Sequence, residues 1–141
     1  MAYDPNNVFA KVLKGEIPCH KLHEDDDTLV FLDIMPRSEG HALVVTKTQA
    51  RDLFDISPVA LAKVMGVVQK LAPKIRDAVG AQGVLIQQFN GAVAGQTVFH
   101  LHVHIVPVKE GVPLKSHTEQ MPDQRGLAAT AEKIRKTLSS N

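Results

Sequence analysis

Hydrophobic residues along this chain change their spacing several times, and each change marks an element. Between Pro5 and Gly15, Val8, Phe9, Val12 and Leu13 recur at helical intervals. Pro suits a first helical turn and Gly an exit, so the pattern predicts a helix over 5–15. Residues 19–23 predict a strand, and 28–34 and 41–46 predict two more, rich in β-branched and apolar side chains. Glu24-Asp25-Asp26-Asp27 reads as a solvated hairpin tip, because its spacing is not that of a calcium loop. Residues 35–40 carry Pro36 and Gly40 where a turn wants them.

The period then returns to that of a helix. Ser57 can cap it and Pro58 fits its first turn. Leu61, Val64, Met65, Val68, Leu71, Ala72, Ile75 and Val79 form one stripe, Gly80 can close the helix, and Pro73 is expected to bend or break it. Residues 84–89 and 98–108 predict two further strands. A long loop with Gly111, Pro113, Pro122 and Gly126 follows; loops of that length tend to be functional or mobile. Leu127, Ala131, Ile134 and Leu138 predict a closing amphipathic helix. Short turns join the first three strands, which makes them antiparallel. The expected architecture is one α+β domain over 1–141, with a single antiparallel sheet of about five strands, one long helix and one or two short ones. Its core falls in 5–108, and 109–141 forms the C-terminal loop and helix.

Composition narrows the function classes. The chain is 44% hydrophobic and 22% charged, with a formal net charge of +1. Nothing in that balance grips nucleic acid or an acidic membrane, so neither is an expected partner, and any phosphate must be held by local donors. No apolar run approaches the roughly 18 residues of a membrane span, and residues 1–9 lack the pattern of a secretory signal. Cys19 is the single cysteine, which fits a reducing, cytoplasmic setting.

Of seven histidines, three fall within five residues. The segment 98–108 alternates with period two, so His100, His102 and His104 are expected on one face of a strand and Leu101, Val103 and Ile105 on the other. Successive imidazoles would stand about 7 Å apart at the backbone. Two chemistries use such a row. One is a zinc or iron site completed by His41 or His20. The other is nucleophilic attack on phosphorus by a neutral imidazole whose second nitrogen donates to a fixed acceptor. The preceding Gly95-Gln96-Thr97 favours the second: Gly95 admits close approach, Gln96 and Thr97 carry neutral donors, and amides in such a turn can cradle an anion. No metal or other cofactor is expected.

Residues 90–107, a Gly-Gln-Thr turn followed by His-φ-His-φ-His with φ apolar, resemble the signature of the histidine triad (HIT) family. Val8-Phe9-Ala10-Lys11-Val12 with Gly15-Glu16-Ile17-Pro18 is similar to the family's N-terminal segment. Phe31-Leu32-Asp33-Ile34-Met35-Pro36 and Gly40-His41-Ala42-Leu43-Val44-Val45 are similar to its central hairpin. The likeness covers roughly 5–108 and points to the nucleotide-binding branch.

The resemblance implies His102 as the nucleophile that carries a nucleoside monophosphate, His104 on the phosphate, His100 as support, and His41 completing the polar cluster. It implies that Gln96 and Thr97 donate to the phosphate or leaving group, and that Gly95 and Asn90 line the same pocket. Asp33 would accept from the ribose hydroxyls, and Phe9, Ile17 and Ile34 would sandwich a purine. The Cys-x-x-Cys that binds structural zinc in some bacterial relatives is replaced by Asn7 and Ala10. The Trp near the C-terminus of eukaryotic relatives is absent, and Val108 stands where an Arg often follows the signature Pro. A homodimer is implied too.

The implied activity is cleavage of a nucleoside 5′-monophosphate from a phosphoramidate, an aminoacyl-adenylate or a related substrate. Hydrolysis of dinucleoside polyphosphates, or a nucleotide-binding scaffold with little catalysis, are the alternatives.

Overall fold

The computed structural model describes residues 2–116 and 123–139. Its elements are α1 (Val8–Leu13), β1 (Lys21–Glu24), β2 (Thr28–Leu32), β3 (Ala42–Thr46), α2 (Pro58–Val79), β4 (Gly83–Gln87), a 3-10 turn (Ala92–Ala94), β5 (His102–Val108) and α3 (Gln124–Ser139). The strands form one five-stranded antiparallel sheet in the order β1-β2-β3-β5-β4, the α+β architecture expected from the sequence. Among the described residues no helix is long and apolar enough to cross a membrane.

Several boundaries differ from the hydrophobic pattern for local reasons. Helix α1 starts at Val8 because Asn7 caps it, its Oδ1 accepting from Ala10 N at 2.9 Å; Pro5 falls in the preceding turn. The acidic tip between β1 and β2 is closed by Asp25, whose Oδ1 accepts from the N–H groups of Asp27 and Thr28 at 2.8 Å each. Helix α2 runs through Pro73 without the break that was one of the two expected outcomes. Interior Pro costs roughly 3 kcal/mol, but Val68, Leu71 and Ile75 around it are buried, each such side chain contributing about 1.5–3 kcal/mol. Met65 leaves the predicted stripe and is exposed, since Val64 and Val68 set the centre of the buried face. Gly126 lies inside α3 rather than in the loop before it, and Pro122 lies outside the described residues.

The histidine segment departs furthest from the hydrophobic pattern. Strand β5 begins at His102, not at residue 98, and residues 98–100 form a bend. Leu101 is tied by backbone bonds to Ala50 O (2.8 Å) and from Thr46 N (3.3 Å), so the chain leaves the sheet just before it. Only two of the three histidines therefore stand on the strand.

The two sheet faces are filled differently. On one, Val30, Leu32, Ala42, Val44, Val103 and Ile105 pack with Val64, Val68, Leu71 and Ile75 of α2 and with Leu127, Ala131 and Ile134 of α3. On the other, Leu29, Phe31, Leu43 and Val45 meet Phe9, Val12 and Leu13 of the six-residue α1, with Ile17, Cys19 and Val98 at the margin. Register places His102 opposite Val45 and His104 opposite Leu43, on this second face. Gly40, just before β3, has φ +88°, and a Cβ there would lie 3.0 Å from Val79 Cγ1 and 3.3 Å from Pro107 Cγ. Only Gly lets the chain turn into His41 at that spot.

Candidate active site

The rings of His102 and His104 lie side by side, with centroids 5.0 Å apart. His102 Nδ1 is 2.6 Å from the backbone carbonyl of His100. A carbonyl only accepts, so Nδ1 carries the hydrogen, and in the neutral ring the lone pair belongs to Nε2. That is the tautomer a nitrogen nucleophile needs.

A second chain of bonds sets His104. The backbone N–H of Arg37 donates to His41 Nδ1 at 3.0 Å. His41 Nε2 therefore carries the hydrogen and donates to His104 Nδ1 at 3.0 Å, with Asp33 Oδ2 at 3.5 Å on the same side. His104 Nδ1 accepts, so its Nε2 is the donor. The buried His41 thus transmits a backbone hydrogen-bond direction to a ring in the site.

His100 does not join this row. Its buried ring donates from Nε2 to Thr46 O at 2.6 Å and lies 2.6 Å from the Tyr3 hydroxyl at Nδ1. Burial pulls this imidazole below its usual pKa, outweighing the Thr46 carbonyl, which raises it. The ring is a neutral strut, and its contribution to His102 is the main-chain carbonyl.

Two cavities meet at the histidines. An apolar one of about 430 Å³ is walled by Phe9, Ile17, Phe31, Ile34 and Val98, with Asp33 at its side. A polar one of about 290 Å³ is lined by Arg37, Gln87, Phe89, Gly95, Gln96 and Ser116. Thr97, His102 and His104 border both. Phe9 sets its ring edge-on to His102 at 4.7 Å and to Phe31 at 5.5 Å, and Phe89 meets His104 at 5.4 Å. Asp33 Oδ1 accepts from Met35 N at 2.8 Å, which steadies the carboxylate at the cavity wall.

The loop before the triad differs from its predicted use. Gln96 is buried, and its side chain takes Gly91 N at Oε1 (2.8 Å) and gives Nε2 to Arg51 O (2.8 Å) and Val98 O (3.1 Å). Both amide hydrogens are spent on shaping the turn, not on a ligand. The N–H groups of Gly95 and Gln96 also close on Ala92 O and Gly91 O, so they form no anion cradle. Asn90 accepts from Leu53 N (2.8 Å), pairs with Gln88, and lines neither cavity. Of these, Thr97 borders both spaces. Gly95, at φ +107°, packs its Cα against Phe89, where a Cβ would stand 3.5 Å from the ring.

Asp33, His41 and His104 each bring a ligand atom within 4.8 Å of the others. A cation there would need the lone pair of His41 Nε2, which the Arg37 N–H at Nδ1 makes a donor instead. The trio fits a hydrogen-bond relay better than a metal. His20, the other ligand considered, bonds Gln124 Oε1 at 2.9 Å. Arg37, Gln87, Phe89 and Ser116 were not singled out by sequence. They reach the site only through strand pairing and loop closure, for which no local pattern exists.

The model of the HIT domain matches residues 14–111, well over half of the chain. This chain belongs to the HIT family. Among relatives, this HIT protein is 41% identical over 100 residues to an adenosine 5′-monophosphoramidase of Schizosaccharomyces pombe, covering 71% of this chain and 72% of that one. It is 41% identical over 103 residues to an adenylylsulfatase of Arabidopsis thaliana, covering 73% of this chain; the match spans 52%, about half, of that longer protein. Among solved structures, a Hit-like protein involved in cell-cycle regulation from Bartonella henselae superposes with a TM-score of 0.89 at 43% identity, covering 96% of this chain and 99% of that one.

Proposed function

We propose that this HIT protein is a nucleotidyl hydrolase or transferase that passes a nucleoside monophosphate through a covalent bond to His102. The carrying observation is the His102 Nδ1 bond to the His100 carbonyl at 2.6 Å, which puts the reactive lone pair on Nε2 where the apolar and polar cavities join. The activities named for the fission yeast and Arabidopsis relatives support the same chemistry.

In this reading the purine lies between Phe9, Ile17 and Ile34, and Asp33 accepts from the ribose hydroxyls. The α-phosphoryl group sits over Thr97, His102 and His104. His102 Nε2 forms a bond to phosphorus as the bond from phosphorus to the leaving nitrogen or oxygen breaks. Charge grows on the phosphoryl oxygens and is met by His104 Nε2–H and the Thr97 hydroxyl. A leaving amine takes its proton from water in the polar cavity. Water then attacks phosphorus and gives its proton to the hydroxide left by the first step, the bond to Nε2 breaks with its electron pair returning to His102, and the monophosphate departs. A phosphoramidate, whose P–N bond is the weaker, suits this course.

Strand β4 forms one edge of the sheet, with Leu85 and Ile86 exposed, and a second copy pairing there would give a homodimer.

Rapid quench with an adenosine phosphoramidate labelled at phosphorus tests the proposal. Label bound to His102 within one turnover, and lost on the timescale of product release, is the expected result. Turnover with no such adduct, or binding with neither turnover nor adduct, refutes it; the latter outcome describes a nucleotide-binding scaffold.

A further inference from the structure

We propose that Arg37 selects leaving groups that carry an oxyanion, whether sulfate, phosphate or carboxylate. The inference rests on the nucleotidyl-transfer reading above and gives it a substrate class. Arg37 is half-buried on the wall of the polar cavity and does not line the apolar one, the two sharing Thr97, His102 and His104. Its Nε donates to Lys115 O and its Nη1 to Gln87 Oε1, both at 3.1 Å. Both acceptors are neutral, and among the described residues no carboxylate pairs with this guanidinium. Two of its five N–H groups are used in holding it still.

The residue is fixed to His104 at both ends. Its main-chain N–H orients His41, which orients His104, and its side chain is held by Gln87, the cross-strand partner of His104. A half-desolvated cation without a counter-ion is costly unless a ligand supplies one. The guanidinium fork matches an oxyanion in two-point geometry. The transferred phosphoryl group already has His104 and Thr97; the remaining space lined by Arg37, Gln87 and Ser116 is where the departing group must lie.

The alternative is that Arg37 merely braces residue 115 against β4. Such a brace would serve every substrate alike, which separates the two roles. Arg37→Gln and Arg37→Lys both retain the backbone N–H on His41. Turnover is compared on three adenosine substrates with a common phosphoryl group: an alkyl phosphoramidate, an amino-acid phosphoramidate with a carboxylate side chain, and adenosine 5′-phosphosulfate. In Arg37→Gln, kcat/KM is expected to fall by about 10- to 100-fold more on the two anionic substrates than on the alkyl one, as for loss of a charge-assisted hydrogen bond. Arg37→Lys, which keeps charge without the fork, should fall between. An equal loss on all three overturns the proposal, and a loss on the sulfate alone restricts it to tetrahedral oxyanions.

Calorimetric titration of the AMP-loaded protein with sulfate gives a readout independent of turnover. Binding at least tenfold weaker in Arg37→Gln than in the wild type supports the site. Equal affinity in the two proteins overturns it. Wild-type protein that binds sulfate through Arg37 but turns over none of the substrates would refute the hydrolase reading and leave the anion site standing.

Discussion

The sheet has one face sealed by two helices and one face covered by a helix of only six residues. On the sealed face, Val103 and Ile105 of β5 are closed in by α2 and α3. On the open face, the intervening residues of the same strand are His102 and His104, beside a cavity that α1 leaves unfilled. Over residues 102–105 the strand thus gives its odd positions to the core and its even ones to the cavity wall. The difference teaches that the cavity is made by what is missing from the second layer: a longer first helix would fill the space beside the two buried rings.

That contrast can be broken at single residues. The largest effect is expected at His102. His102→Ala should lower kcat by about 10⁴-fold or more while leaving the thermal midpoint near that of the wild type, measured by steady-state kinetics and calorimetry. Unimpaired turnover in pure protein would remove His102 from the reaction. Ile105→Ala should do the reverse. It deletes a side chain with no exposure and should cost about 2–5 kcal/mol in a denaturant melt, with activity per folded molecule little changed. A large catalytic loss in folded Ile105→Ala would mean that the faces are not separable.

A smaller effect should sharpen the contrast at His100, which belongs to the motif yet behaves as core. Its folded-state pKa is lowered from 6.5 by burial. Below about pH 6.5 the unfolded chain takes up a proton at this position that the folded protein resists, so acid favours unfolding. The stabilisation is fully present above that value and is lost as pH falls through and below it. His100→Gln, neutral throughout, should lose less stability than the wild type between pH 7.5 and 5 in paired thermal melts. Parallel pH profiles for the two proteins would show that the ring is not held neutral.

Period-two spacing identified β5 and the shared face of His102 and His104, because that face is a property of adjacent residues. It overran His100, since the departure of residues 98–100 from the sheet depends on backbone bonds from Leu101 to Ala50 and Thr46, more than a third of the chain away. Phe9, Ile17, Asp33 and Ile34 were legible through resemblance, and they do line one cavity. Gln96 and Asn90 were assigned to the ligand by their chemistry, but an amide serves a turn as readily as a phosphate, and the bonds to Gly91, Arg51 and Leu53 claim them. Arg37 lay in a loop with no periodicity and reaches the triad only through Gln87 and His41.

The acceptor that aligns the His102 ring is a peptide oxygen belonging to the residue two places earlier. A carboxylate in that post would protonate in acid and could be erased by one codon change. A main-chain carbonyl does neither. The ring's heading is consequently indifferent to the side chain at position 100, and replacing that side chain can alter the setting of the segment without deleting the contact. In the proposed reaction, the contact that readies Nε2 for bond formation is therefore one that no change of side chain at position 100 removes.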